Sequence, residues 1–480
     1  MMKNIRKETA EVFRYFKEIC EIPHGSGNMD AISDYCLRFA ENNGLRAVTD
    51  GAKNVVIYKS GTKGYENAEP IILQGHLDMV CQKREDIGFD FEKDGIKTHT
   101  DGGFIKAEGT TLGADNGIAV AMIMSVLASP DLPHPPIEAV FTTDEEIGMI
   151  GAKKLDFSAF KAKRMINLDS EEADVLTVSC AGGSDFISFM PTEKTTVHGT
   201  KILLEIGGLK GGHSGADIDK CRVNANMLAA RILNFAKKTA DFHLIKINGG
   251  TKNNAIPFSC KAELAVKDAE GFISTMKDCI SALKNEIGDR EEACLINLTV
   301  ETAGDFEALT PCDRDKLIYL LLTTPNGVVD MSAQIENLVE TSLDLGVLKT
   351  ESDGIVMQYA LRSNKSSALT FLEDRMTAFA EYNGCKAQAS CRYEPWEFKK
   401  DSELCKLYSE AFCERFGREI KVSAIHAGLE CAVFAGEIED LDCISVGPDM
   451  FDVHTVNERL SISSAEEIFE LLCDVLKKCK

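Results

Sequence analysis

Three adjacent carboxylates, Asp144, Glu145 and Glu146, follow the largely apolar run Ile137 to Phe141 and precede Gly148. Acids held where a buried strand meets a turn sit where α/β enzymes place their chemistry, so metal ligation or acid/base work is the reading to test. Other stretches repeat the pattern. His76 and Asp78 follow the apolar Ile71-Ile72-Leu73, two residues apart and on one face if the strand continues through them. Asp115 lies between Gly113-Ala114 and Asn116-Gly117 at the mouth of an apolar stretch. Asp169 follows Met165-Ile166-Asn167-Leu168, with Glu171 and Glu172 just beyond, and His454 lies in a loop-like segment after a strand ending at Val446. Singly, each has an ordinary structural reading, as a strand-end histidine, a turn aspartate or a helix cap. Coincidence accounts for one or two such strand ends, not for four in about the first third of the chain. Imidazole and carboxylate without thiolate suit Zn, Mn or Co, and an excess of carboxylates suits two ions sharing a bridging ligand.

These side chains need a frame. Residues 7 to 20 have an amphipathic helical pattern, Val55-Val56-Ile57 and Ile71-Ile72-Leu73 read as short buried strands, and Ile118 to Leu127 has the length of a helix. Strands alternating with helices up to about residue 185 imply a parallel or mixed sheet covered on both faces. Further on, strand-like Phe186 to Met190 and Lys201 to Ile206, a Gly-rich turn at 207–212 and a helical stretch from Asn224 to Lys238 change the texture to α+β layers. From Ser402 the pattern is helical again, and the strand-like Ile420 to Ala424 and Leu441 to Val446 could complete the first sheet. The middle region then becomes an insertion, giving a catalytic domain at 1–186 and 396–480 interrupted by a domain at 187–395. Adjacent residues on a regular strand face opposite sides, so if Glu145 and Glu146 serve one site the backbone must leave strand geometry, with a loop beginning at Asp144.

Composition narrows the partners. A chain of 480 residues invites two or more domains, and 53 basic against 76 acidic side chains give a net charge of −23. That field repels phosphate backbones and anionic lipid and attracts cations, so neither nucleic acid nor a membrane is an expected partner. The first residues mix charge through an amphipathic pattern unlike a signal peptide, and no apolar run reaches the length of a membrane span, so a cytoplasmic protein is expected. Seventeen cysteines scatter without a C-x-x-C pair, as reduced thiols rather than a disulfide framework.

The motifs Gly75-His76-Leu77-Asp78, Gly113-Ala114-Asp115-Asn116, Asp144-Glu145-Glu146-Ile147-Gly148, Leu168-Asp169-Ser170 and Val453-His454-Thr455 together resemble, in order and spacing, the M20 family of co-catalytic metallopeptidases. The stretch His426-Ala427-Gly428-Leu429-Glu430-Cys431 is similar to its aminoacyl-histidine dipeptidase branch, the carnosinase-like cytosol dipeptidases. The resemblance implies a zinc-exopeptidase-type mixed α/β sheet flanked by helices, with an inserted α+β lid domain that mediates dimerisation. It implies two divalent ions, Zn foremost with Mn or Co as alternatives: His76 and Asp169 on one, Glu146 and His454 on the other, Asp115 bridging. The peptide bond Asp115-Asn116 would be cis, Asp78 would orient His76, and Glu145 would be the general base toward a water bridging the ions. His213, in Gly211-Gly212-His213-Ser214-Gly215, would stabilise the oxyanion. Asn254, Arg362, His426 and Glu430 would contact the substrate, the Arg fork suiting a carboxylate. Read alone, His213 is an ordinary loop histidine, and a structural loop role for His426 and Glu430 stands equally open.

The expected activity is hydrolysis of unblocked dipeptides, of Xaa-His type, by a homodimer. Two rivals remain: a related amidohydrolase on the same frame (tripeptidase, carboxypeptidase or N-acyl amino-acid deacylase), or a non-catalytic binding protein of the same fold. His24 after Pro23, and Ala432 after Cys431, depart from the usual family residues without touching the metal set.

Overall fold

The computed structural model describes residues 7–480, which divide into two compact units. The first comprises residues up to Cys180 together with Phe398–Ala424 and Leu429–Lys480; the second comprises Ala181–Glu397 and Ile425–Gly428. The mixed α/β class expected from the sequence is the class observed. The boundaries differ from 187 and 395 because the strand beginning the second unit is longer than its apolar centre suggested. Gly182–Pro191 pairs along its whole length with Gly354–Ser363, from Gly182↔Ser363 to Pro191↔Gly354. Residues 425–428 belong with it because Ala181 N–H donates to the carbonyls of Ile425 and Ala427.

The first unit is built on an eight-stranded sheet in the order Arg46–Thr49, Val55–Lys59, Ile137–Thr142, Ile71–His76, Arg164–Asn167, Asp442–Ser445, Val175–Cys180, Lys421–Ile425. The strand Ile71–His76 runs parallel to both Ile137–Thr142 and Arg164–Asn167, and Asp442–Ser445 runs parallel to the latter. Strands buried on both faces read as unbroken apolar runs, and every residue of Ile71–His76 and Ile137–Thr142 is buried. Four parallel strands bring their carboxyl ends to one rim. The helix Ala114–Ala128 is apolar all round because it is enclosed, packing on Lys7–Cys20 and on the strand Ile71–His76. That approach demands Gly75, where a Cβ would come within 2.5 Å of Asn116 Oδ1. A four-stranded sheet of Met450–Phe451, Arg459–Ser461, Phe104–Ala107 and Thr98–Asp101 holds the segment that carries His454.

The second unit has a nine-stranded antiparallel sheet, with Leu295–Leu309 at one end of the order and Lys386–Tyr393 at the other. Helices Ala225–Thr239, Ala269–Ile287, Pro311–Thr323 and Ser366–Tyr382 close one core against it, including Leu233, Met276, Leu317 and Leu372. Asn224 caps the first of these, its side chain accepting from the N–H of Asn226 and Met227. Among the described residues no helix is long and apolar enough to cross a membrane, and every cysteine is free. Cys81 and Cys413 are exposed, whereas Cys473 is buried.

Candidate metal centre

The parallel strands of the first unit end level with one another: His76 lies opposite Thr142, and Gln74 opposite Asn167, which in turn lies opposite Ser445. Just past those ends the chain gathers its acids. His76 Nε2 lies 3.2 Å from Asp115 Oδ1 and 3.4 Å from Asp169 Oδ1, while His454 Nε2 lies 3.1 Å from Asp115 Oδ2 and 2.8 Å from Glu146 Oε1. Each oxygen of Asp115 therefore faces a different imidazole. Two donors bound to one ion at about 2.0–2.1 Å and the tetrahedral angle lie about 3.4 Å apart, close to these separations. His76, Asp115 and Glu146 alone already place ligand atoms close enough to hold one ion. The peptide bond Asp115-Asn116 is cis.

Electrostatics point to a cation as well. His454 is raised to about 11 by its bonds to Asp115 and Glu146. His76 is buried, which alone would lower it, but the Asp169 charge and the bond to Asp115 hold it well above its ordinary value. Burial raises Asp169 to about 6 against the pull of His76, with Asp115 and Glu146 adding repulsion. For Asp115, burial is outweighed by the bonds from His454 and His76, which keep it below the usual carboxylate range. Protons on two imidazoles thus offset part of the charge of crowded carboxylates, a task that divalent ions would do better.

Glu145 takes none of these ligand contacts. Burial, then the charges of Asp169, Glu430 and Glu146, raise it well above an ordinary glutamate despite His76. The strand ends at Thr142, Asp144 has φ 54°, and the loop expected at Asp144 is present, begun one residue earlier at Thr143. Asp78 shapes that loop. Its Oδ1 accepts the Glu145 N–H at 2.9 Å, and its Oδ2 accepts the Glu146 N–H at 3.2 Å and the Ser26 hydroxyl at 2.8 Å. His76 Nδ1 meets Asp78 at two points, its backbone carbonyl at 3.0 Å and its carboxylate Oδ1 at 3.5 Å. With Nδ1 so held, Nε2 would exchange its proton for a bound cation on the side of Asp115 and Asp169.

Glu430 is held by side chains of the strands Ile71–His76 and Ile137–Thr142. It is fully buried, its Oε2 accepts from Gln74 Nε2 at 2.5 Å and Thr142 Oγ1 at 2.6 Å, and burial raises it to about 8. Gln74 Oε1 in turn accepts from Asn167 Nδ2 and Asn167 Oδ1 from Ser445 Oγ, a polar chain beneath the strand ends. Sequence reading missed this chain, because one polar residue in an apolar strand carries no sign of its partners.

In the second unit Arg362, His213 and Tyr393 meet. His213 Nδ1 accepts from the N–H of Ala216 at 3.0 Å and Gly215 at 3.3 Å, so the ring proton sits on Nε2. That nitrogen lies 3.4 Å from Arg362 Nη2, which is also only a donor. Two donors so placed can share an oxyanion or carboxylate but cannot bond each other. Burial and then the Arg362 charge lower His213 to about 4, which keeps it neutral. Arg362 Nη1 donates to Tyr393 Oη, while its buried Nε has no hydrogen-bond partner among the described residues. Asn254 is exposed, tied to the His213 loop by its carbonyl, which accepts from Ser214 N–H. His426 has both ring nitrogens engaged, with Ser342 Oγ at 2.7 Å and Asn364 Oδ1 at 3.0 Å, and burial followed by Arg362 lowers it to about 3.

The model of peptidase family M20/M25/M40 matches residues 72–478. The cytosol non-specific dipeptidase of Escherichia coli (strain K12) is 36% identical over 469 residues, covering 96% of both chains. The crystal structure of aminoacylhistidine dipeptidase from Vibrio alginolyticus superposes with a TM-score of 0.89 at 33% identity, covering 99% of this chain and 97% of that one. Aminopeptidase PepT from Bacillus cereus shares the fold, with a TM-score of 0.58 at 16% identity over 99% of each chain. With five acidic and imidazole motifs gathered at one sheet rim and a family match across most of its length, this chain belongs to peptidase family M20/M25/M40.

Proposed function

We propose that the protein is a metal-dependent dipeptidase that hydrolyses unblocked dipeptides, with Xaa-His substrates among those preferred. The observation that carries this reading is the position of Asp115 between two donor pairs, His76 with Asp169 and His454 with Glu146. The donor set, two imidazoles and three carboxylates without thiolate, fits two Zn ions, with Mn or Co as substitutes. Bound divalent ions supply Lewis acidity toward the scissile carbonyl and acidify the attacking water.

The chain's own groups do the rest. Asp78 draws the N–H groups of Glu145 and Glu146 onto one carboxylate, which turns the two side chains toward different tasks. Glu145 takes the proton from the attacking water and delivers it to the leaving amine nitrogen. His213 donates its Nε2 proton to the developing oxyanion, and Arg362 recognises the substrate carboxylate. Similarity to the dipeptidases of Escherichia coli and Vibrio alginolyticus supports this substrate class. A cytoplasmic homodimer formed through the second unit is part of the same reading.

The test is a side-by-side assay of the metal-loaded protein on carnosine, Leu-His, a tripeptide and an acetylated amino acid. Turnover of the free dipeptides and loss of activity with a chelator are expected. Cleavage of the acylated compound alone would sink the dipeptidase reading.

A further inference from the structure

A buried carboxylate outside the ligand set sits directly behind the bridging aspartate. Glu458 is 3% exposed and lies four residues after His454, at the start of the strand Arg459–Ser461. Among the described residues its oxygens meet only backbone donors. Oε2 accepts from Leu112 N–H at 2.7 Å and Gly113 N–H at 3.1 Å; Oε1 accepts from Ala114 N–H at 2.8 Å and, more distantly, Asp115 N–H at 3.4 Å. Four consecutive N–H groups converge on one anion because Gly113 turns the chain at φ 72°, where a Cβ would also press within 2.8 Å of Met79 Sδ.

Burying this charge beside Asp115, another anion, is unfavourable unless the arrangement does something besides fill space. Its location says what. Asp115 has φ −82° and ψ 101°, outside helical geometry, so the helix it begins does not hold its backbone. On its amino side the backbone is held by Glu458. On its carboxyl side Asn116 takes over, its Oδ1 accepting from His76 N–H at 3.2 Å and its Nδ2 donating to the Leu168 carbonyl at 2.9 Å. Glu458 is itself tied to the His454 loop, since its own N–H donates to the Thr455 carbonyl at 3.2 Å. The segments carrying His454, Asp115, His76 and Asp169 are thereby linked one to the next.

We propose that Glu458 is a positioning residue: its carboxylate locks the 112–115 turn to the His454 loop so that each oxygen of Asp115 faces its own imidazole. This rests on reading His76, Asp115, Glu146, Asp169 and His454 as metal ligands. Side chains that orient ligands from behind typically change metal affinity or activity by about 10–100-fold.

The full chain, freed of metal, is titrated with Co(II) as wild type, Glu458→Gln and Glu458→Asp, following affinity by competition with a chelating indicator and geometry by the visible absorption of the bound Co(II). Gln keeps the size but turns an NH2 toward backbone donors; Asp keeps the charge but is one methylene short. Both are expected to bind Co(II) about 10–100-fold more weakly with a shifted spectrum, and to lose kcat with KM little changed, while the metal-free melting temperature moves by only a few degrees. Wild-type affinity and spectrum in both variants would overturn the proposal. So would a failure of both variants to fold without metal, which would make Glu458 a residue of the fold alone. If wild type itself takes up fewer than two Co(II), the ligand reading fails instead.

Discussion

The two units use histidine in opposite ways. In the first, His76 and His454 stand among carboxylates and are pushed up, His454 to about 11. In the second, His213 and His426 are buried beside Arg362 and pushed down, to about 4 and about 3. The residue type is the same and the surroundings are reversed. A surplus of anions prepares the first cluster for cations, and a guanidinium facing a neutral ring N–H prepares the second for an oxyanion or carboxylate. The sign of the local field, more than the presence of histidine, distinguishes the two chemistries.

That contrast can be broken at several points. The largest effect is expected at Glu145, which sits in the acidic cluster without a ligand contact: Glu145→Gln should lower kcat by about 10²–10⁴-fold while Co(II) stoichiometry stays that of wild type. An unchanged kcat in the metal-loaded variant would remove Glu145 from the mechanism. Next comes the anion side. Arg362→Ala should reduce kcat/KM by about 10–100-fold for dipeptides with a free carboxylate, the range of a charged hydrogen bond, and much less for the same dipeptides capped as amides. Equal losses on both would show that Arg362 does not read the carboxylate.

Stability against pH should separate the clusters by sign. His213 and His426 have folded values below the unfolded value of about 6.5, so their contribution is full above about pH 6.5 and is lost as pH falls toward 4 and then 3. Each contributes at most about 1.4 kcal/mol per pH unit in that window. In metal-free protein, His454 behaves inversely: its contribution is full below about pH 6.5 and is lost as pH rises toward about 11. Denaturant melts of metal-free protein across this range, with His426→Gln flattening the acid limb and His454→Gln the alkaline one, measure both. The smallest signal is proton release. His454, raised to about 11, carries a proton at neutral pH in the metal-free site and His76 is pushed the same way, so metal uptake should expel about one to two protons per chain, detectable with a pH indicator, and His213→Asn should leave that number unchanged.

Much of the first cluster was legible because its chemistry follows buried strands. An apolar run such as Ile71-Ile72-Leu73 that stops at His76 marks both an element and its end, and parallel strands bring such ends to one rim. The break at the end of Ile137–Thr142 was also readable, since two acids serving one site could not both follow strand alternation. The limits of the second unit were less so, because Gly182 to Asp185 lack the apolar pattern of the strand to which they belong.

The sequence by itself determined the element types, the order of the acidic and imidazole motifs and the surplus of negative charge, all of which are properties of residues and their neighbours along the chain. Tertiary structure alone decided the partnerships. Asp78 meets His76 and also gives its carboxylate to the Glu145 and Glu146 backbone; Glu430 and His426 turned inward to Gln74, Thr142, Ser342 and Asn364; Glu458 found its donors more than three hundred residues away. A hydrogen bond depends on distance and angle between groups, and for groups brought together by strand order and loop path no spacing in the sequence encodes either.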